Sequence, residues 1–209
     1  MPSVTISRMY GSGGSEIAAR VAHTLGWTLY DNQIVDAIAQ RSGLSTSEVA
    51  AAEERVPSFV ERISGAFTLG TPEAMPAYVE GGAITPDGEI VATTKSIIQE
   101  AVKKGPAVFV GRGAQSLLAE RSDALHVFCH APLAALIDYA VQKLGVAPQD
   151  AEKVVNDMNK QREQYVKRHW NRKWASPMNY HLCVDTSWYG IDRTADLIVR
   201  AARERLLSS

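Results

Sequence analysis

The sequence predicts an α/β fold: three layers, about five parallel strands in one sheet with helices on both faces. Two observations lead there. Short apolar runs alternate with segments of helical periodicity, and no join carries a hairpin signal. Several runs, Ala107-Val108-Phe109-Val110 above all, are apolar without alternation, as strands covered on both faces are.

The first element is the β-branched run Val4-Thr5-Ile6, which stops at Gly11-Ser12-Gly13-Gly14. From Ile17 apolar residues recur at helical spacing through Ala18, Val21, Ala22 and Leu25. Strand, glycine turn and helix in quick succession is the layout of a phosphate-binding loop. Glycines let successive amides face one point, and the helix start adds unpaired N–H groups and the positive end of its dipole. The same glycines also suit a turn that needs only close packing. The usual motif ends in Gly-Lys-Ser/Thr, and here Gly14 stands where that lysine would be.

Gly26 closes the first helix, and Trp27 to Tyr30 form a brief extended piece. Asp31 suits an N-cap before Ile34, Val35 and Ile38, and Ser45 with Glu48 has capping-box spacing for the next helix. From Pro57 to Pro86 prolines and glycines break the pattern, yet Phe59, Phe67, Met75 and Tyr78 argue against a free linker. A substrate-covering or dimer-forming insertion is expected over 56–90. Order resumes with a helix over 90–104, the strand 107–110, a helix to about Arg121, a strand 125–129, a helix opened by Pro132, and another begun at Pro148. A strand over 180–184 and a helix over 192–207 complete the chain.

Ligands of such sheets sit beyond the carboxyl ends of the strands. The loops leaving those ends carry Gly11 to Gly14, Asp31, and Gly111-Arg112-Gly113. An arginine between two glycines can grip a phosphate through two parallel hydrogen bonds, and beside a phosphate-type loop a second anion clamp is the better reading than a plain surface turn.

The whole chain has 22 basic and 23 acidic residues, a net charge of −1, which argues against nucleic-acid or membrane partners. Lys160 to Lys173 is the exception, rich in Lys and Arg with Glu163 its one acid. Arg162, Tyr165 and His169 share a helix face, and Arg168 and Arg172 form an i,i+4 pair. This is a solvated basic face, a single-strand nucleic-acid surface with Tyr165, Trp170 and Trp174, or a lid that closes over a polyphosphate. Cys129 and Cys183 lie in apolar runs and are expected as buried, reduced core thiols, which fits a cytoplasmic protein. The amino terminus enters a strand directly, and no run approaches the about 18 apolar residues of a membrane span.

The sequence resembles the cytidylate kinase-like family of P-loop nucleoside-monophosphate kinases. The resemblance rests on Ile6-Ser7-Arg8, Tyr10 to Gly14, Glu16-Ile17-Ala18, Tyr30-Asp31, Val110 to Gly113, Ala131-Pro132, Arg162 with Tyr165, and Trp174 before Asn179-Tyr180. It implies a single P-loop NTPase-type domain over 1–209, with an acceptor-side or oligomerisation insertion at 56–90 and a basic helical lid at 156–178. It implies transfer of the ATP γ-phosphoryl group, with Mg²⁺, to a nucleoside monophosphate. Gly11, Ser12, Gly13, Gly14, Ser15 and Glu16 would then hold the donor phosphates, and Arg112 with Asp31 the acceptor. Arg162 would be a catalytic lid arginine, with Tyr165, Arg168 and Arg172 also on the lid. Partners would be small nucleotides and a second copy of the chain. Several family positions differ: Ser15 replaces an arginine, Glu16 stands at the Mg²⁺-binding hydroxyl, Leu136 and Tyr139 replace two arginines, and Asn159 replaces a lid aspartate. The metal ligands are unassigned. Arg8, at the start of the loop, is the candidate substitute cation. Three functions remain open: a phosphotransferase, a ligand-binding relative without turnover, and an oligomerising or nucleic-acid-binding protein with a vestigial pocket.

Overall fold

The structure, a computed structural model, describes residues 1–31 and 86–207. The helices expected after Asp31 and most of the 56–90 insertion lie outside the described residues. The elements are β1 (Ser3–Arg8), α1 (Gly14–Leu25), β2 (Thr28–Tyr30), α2 (Pro86–Lys104), β3 (Ala107–Val110), α3 (Ala114–Leu117), β4 (Ala124–His130) and α4 (Leu133–Leu144). There follow α5 (Pro148–Trp170), a 3₁₀ turn (Pro177–Asn179), β5 (Leu182–Asp185), α6 (Thr186–Tyr189), α7 (Ile191–Ala202) and a π-type turn (Arg203–Leu207).

The strands form one sheet in the order β2-β3-β1-β4-β5, and every neighbouring pair is parallel. Ile6 of β1 lies opposite Val110, the last residue of β3, and Val127 of β4, and β1 and β4 run on together past the end of β3. After β1 the chain moves outward to β2, and after β3 it crosses to β4. The crevice beside β1 is therefore the switch point at which such sheets take ligands.

Alternation along the strands divides the core. Val4, Ile6, Val108 and Val127 pack on Ile17 and Val21 of α1 and Ile198 of α7. On the other face Phe109 meets Ile90, Ile97 and Ile98 of α2, and Phe128 meets Tyr165, Val166 and Trp174. Ile6, Phe109 and Ile98 are fully enclosed, and truncating one to alanine would cost about 2–5 kcal/mol. The predicted three layers are present. β5 begins two residues later than expected and lies at the sheet edge, so Cys183 is exposed while Cys129 is buried. That corrects the expectation of two core thiols: an edge strand lacks the neighbour and helix cover that an interior strand has.

Candidate functional site

Gly11 and Gly13 take φ of +83° and +70°, and α1 begins at Gly14 with Gly13 as an N-cap that offers no side-chain acceptor. The turn is tightly held. Met9 N–H donates to the Cys129 carbonyl at 2.9 Å, and both the amide and the hydroxyl of Ser12 donate to the Met9 carbonyl. Thr186 Oγ1 donates to the Ser12 carbonyl at 2.8 Å. A Cβ at Gly11 would strike the Leu136 carbonyl, so Leu136 packs against the outside of the turn. Among the described residues, the amides of Gly13, Gly14 and Ser15 have no protein acceptor. An uncapped helix start behind a glycine turn is a ready anion site.

Gly14 is small for a particular reason. A Cβ there would collide with Arg8 Cβ and lie 2.7 Å from Arg8 Cγ. The stem of Arg8 therefore runs through the space that a lysine at position 14 would need.

The Gly111-Arg112-Gly113 turn sits at the end of β3. Its φ angles are 68°, 56° and 67°, three successive left-handed residues with a β-carbon on the middle one, which costs an L-residue about 1–2 kcal/mol. Gly111 N–H donates to the Ile6 carbonyl at 3.0 Å, tying this turn to β1. Arg112 is only 7% exposed and shares a narrow crevice with Arg8, Ser7, Gln115 and Ser116. The end of β1, which leads into the glycine turn, and the Arg112 turn thus border one space.

The basic segment divides. Asn159 Oδ1 accepts the Tyr10 amide at 2.8 Å, and Arg162 Nη1 donates to the Arg8 carbonyl at 2.7 Å with its guanidinium over the Tyr10 ring. Arg162 is buried, and so is Tyr165, packed among Phe128 and Trp174. Burial raises the Tyr10 pKa, and the Arg162 charge offsets part of that rise. Arg168 is exposed. Asn171, at φ 51°, ends α5, so Arg172 lies beyond the helix and faces Glu120 at 3.7 Å. The i,i+4 pairing of Arg168 with Arg172 is therefore corrected, because an αL asparagine stops the helix between them.

Ser15 is exposed, as is Glu16, whose carboxylate accepts from Arg20 at 2.8 Å and from the Tyr139 hydroxyl at 3.1 Å. Arg20 first, and Tyr139 in addition, hold that carboxyl below its usual pKa. Asp31 lies just past β2, beyond β3 from the glycine turn. Unpaired amides at a helix start and a nearby buried arginine are groups of the chemistry that suits a polyphosphate. Among the described residues no cluster of His, Cys, Asp or Glu fits a metal ion, with Glu16 engaged and Asp185 capping α6 through Ser187 and Trp188.

Sequence reasoning missed Thr186. Asp185 followed by Thr186 and Ser187 directly after an apolar run is a helix-start signal that would have marked this turn.

A family model described as the cytidylate kinase-like family matches residues 3–188. The chain belongs to the cytidylate kinase-like family. No curated protein matches it at a significant level. Among solved structures, an uncharacterized protein from Eubacterium ventriosum is similar at 19% identity and a TM-score of 0.70, covering 98% of this chain and 100% of that one. Shikimate kinase from Acinetobacter baumannii, solved with shikimate, aligns at 12% identity and a TM-score of 0.53, covering 100% and 96%. A gluconokinase from Sinorhizobium meliloti aligns at 13% and 0.50, covering 100% and 97%. This member of the cytidylate kinase-like family therefore carries the nucleotide-binding phosphotransferase fold of P-loop kinases, and none of its described helices is long and apolar enough to cross a membrane.

Proposed function

We propose that the protein moves the γ-phosphoryl group of ATP to a nucleoside monophosphate or a similar small phosphorylated acceptor. In this reading the free amides at the start of α1 take the donor phosphates. Arg8 supplies the positive charge that a lysine at position 14 would bring, and Arg112 takes the acceptor phosphate. Transfer of this kind depends on positioning and on neutralising charge, which two arginines bordering one crevice provide. The observation that carries the reading is the path of the Arg8 stem across Gly14. Arg162 acts here by holding the Arg8 backbone, not by reaching the transferred group. Mg²⁺ would come with the nucleotide.

One observation favours a second reading, a kinase-like protein that binds its ligand without turnover. Leu136 and the Tyr139 ring lie over the outside of the glycine turn, where arginines would strengthen the donor site. A screen of nucleoside monophosphates with ATP and Mg²⁺, read for product and for binding, separates the two. Product supports transfer, binding alone supports the second reading, and no response to any nucleotide overturns both.

A further inference from the structure

The strained Arg112 turn has a specific support outside its own loop. The distal edge of the Trp170 indole, at the end of α5, lies where a Cβ on Gly113 would be: Cζ2 and Cζ3 are each 2.5 Å from that point. The ring is itself fixed from several sides, with Lys95 Nζ 5.8 Å from its centroid and the rings of Tyr165 and His169 at 5.4 and 5.9 Å. Its Nε1–H is enclosed and has no acceptor among the described residues. A buried donor without a partner is unfavourable, so the ring's position is set by fit against the turn and not by its hydrogen bond. Two to three turns earlier in α5, Asn159 and Arg162 hold the backbone of Tyr10 and Arg8 that leads into the glycine turn.

We propose that Trp170 is a positioning residue for Arg112: its indole, wedged against Gly113, holds the left-handed turn that aims the guanidinium into the crevice. The inference deepens the acceptor reading given above and rests on it. Loss of the wedge lets Arg112 relax towards ordinary backbone angles, and affinity for the acceptor phosphate falls while the donor side keeps its own anchors.

The test is calorimetric titration of the wild type and of Trp170→Tyr, Trp170→Phe and Trp170→Ala with cytidine monophosphate and, separately, with ATP. Trp170→Ala should weaken the monophosphate about 10-fold or more, the scale of one charge-assisted bond, with ATP changed less than about 3-fold. The wedge is made by the far edge of the ring, so Trp170→Tyr, the longer side chain, should retain more monophosphate affinity than Trp170→Phe. A role in core packing alone gives the opposite order, or lowers both ligands together, and either result overturns the proposal. So does full monophosphate affinity in all three variants. If Trp170→Ala does not fold, the Tyr and Phe pair decides. A wild type that binds ATP but neither this monophosphate nor any other common one defeats the acceptor reading itself, a result distinct from failure of the wedge.

Discussion

The side chain of Arg8 crosses the face of Gly14, with its Cγ 2.7 Å from the point a Cβ would occupy. In the function proposed above, one position is kept bare so that another can bring a cation to the same turn. Arg8→Ala is expected to reduce ATP affinity or turnover by about 10²-fold, the usual effect of losing one charge-stabilising group. Gly14→Lys alone should give no gain, since its Cβ strikes the Cβ and Cγ of Arg8, whereas Gly14→Lys with Arg8→Gly, which removes both atoms, should recover part of the loss. Nucleotide titration and product assays on the three variants check this. A gain from Gly14→Lys alone would show that the two side chains do not compete.

Arg112 combines backbone strain with the acceptor role proposed for it, and the two separate on mutation. Arg112→Ala and Arg112→Gly should weaken monophosphate binding to a similar degree, and more than they weaken ATP binding. Glycine accepts a φ of 56° freely, so Arg112→Gly should be more stable than Arg112→Ala by about 1 kcal/mol. Thermal melts beside calorimetry give both readouts. Equal melting temperatures would mean that the turn relaxes once the arginine is gone.

The alternation of elements was legible because interior parallel strands are uniformly apolar, as Val108, Phe109 and Val110 are. The two phosphate-type turns were legible because glycine spacing reports positive φ directly. Strand order was not. Nothing in Leu182-Cys183-Val184 distinguishes an edge strand from an interior one, and the exposure of Cys183 follows from that position. The fate of Arg162 was equally hidden: helical spacing gives its face but not the carbonyl of Arg8, 154 residues away. Side-chain bonds to distant main chain leave no periodic trace.

Cysteine labelling follows from the same edge position. Burial pushes the Cys129 thiol up to about 12, while exposed Cys183 is raised less by partial burial. A thiol reagent should modify Cys183 in the folded protein and Cys129 only on unfolding. Mass mapping of the labelled peptides at low and high denaturant would show it; early modification of Cys129 would contradict the core placement.

Asn159 and Arg162 tie α5 to the backbone of Tyr10 and Arg8. Removing the acceptor with Asn159→Ala leaves the Tyr10 amide without its partner, at a cost of about 1–3 kcal/mol. Asn159→Asp keeps an acceptor oxygen in place and should be tolerated. Arg162→Ala should be the more damaging, because it also removes the buried cation over the Tyr10 ring. Denaturant melts rank the three, and equal loss for Asn159→Ala and Asn159→Asp would mean that this bond is not what holds the helix.

His126 makes the fold acid-sensitive. Its Nδ1 shares a hydrogen bond with Thr5 Oγ1 at 2.8 Å, and its ring stacks on His181. Burial, then the nearby His181 and Arg172, lower its pKa from 6.5 to about 4. Between those values the unfolded chain binds the proton and the folded one does not. The stability tied to the neutral ring is therefore complete above about pH 6.5 and falls as the pH drops towards about 4, by as much as about 3 kcal/mol. His126→Gln, which cannot take up the proton, should melt lower than wild type at neutral pH yet lose less on going to pH 4.5. Parallel pH dependences for the two proteins would remove His126 as the source; the lowered carboxyl pKa values of Glu16, Asp123 and Asp185 act only in more acidic solution and do not supply a loss above pH 4.5.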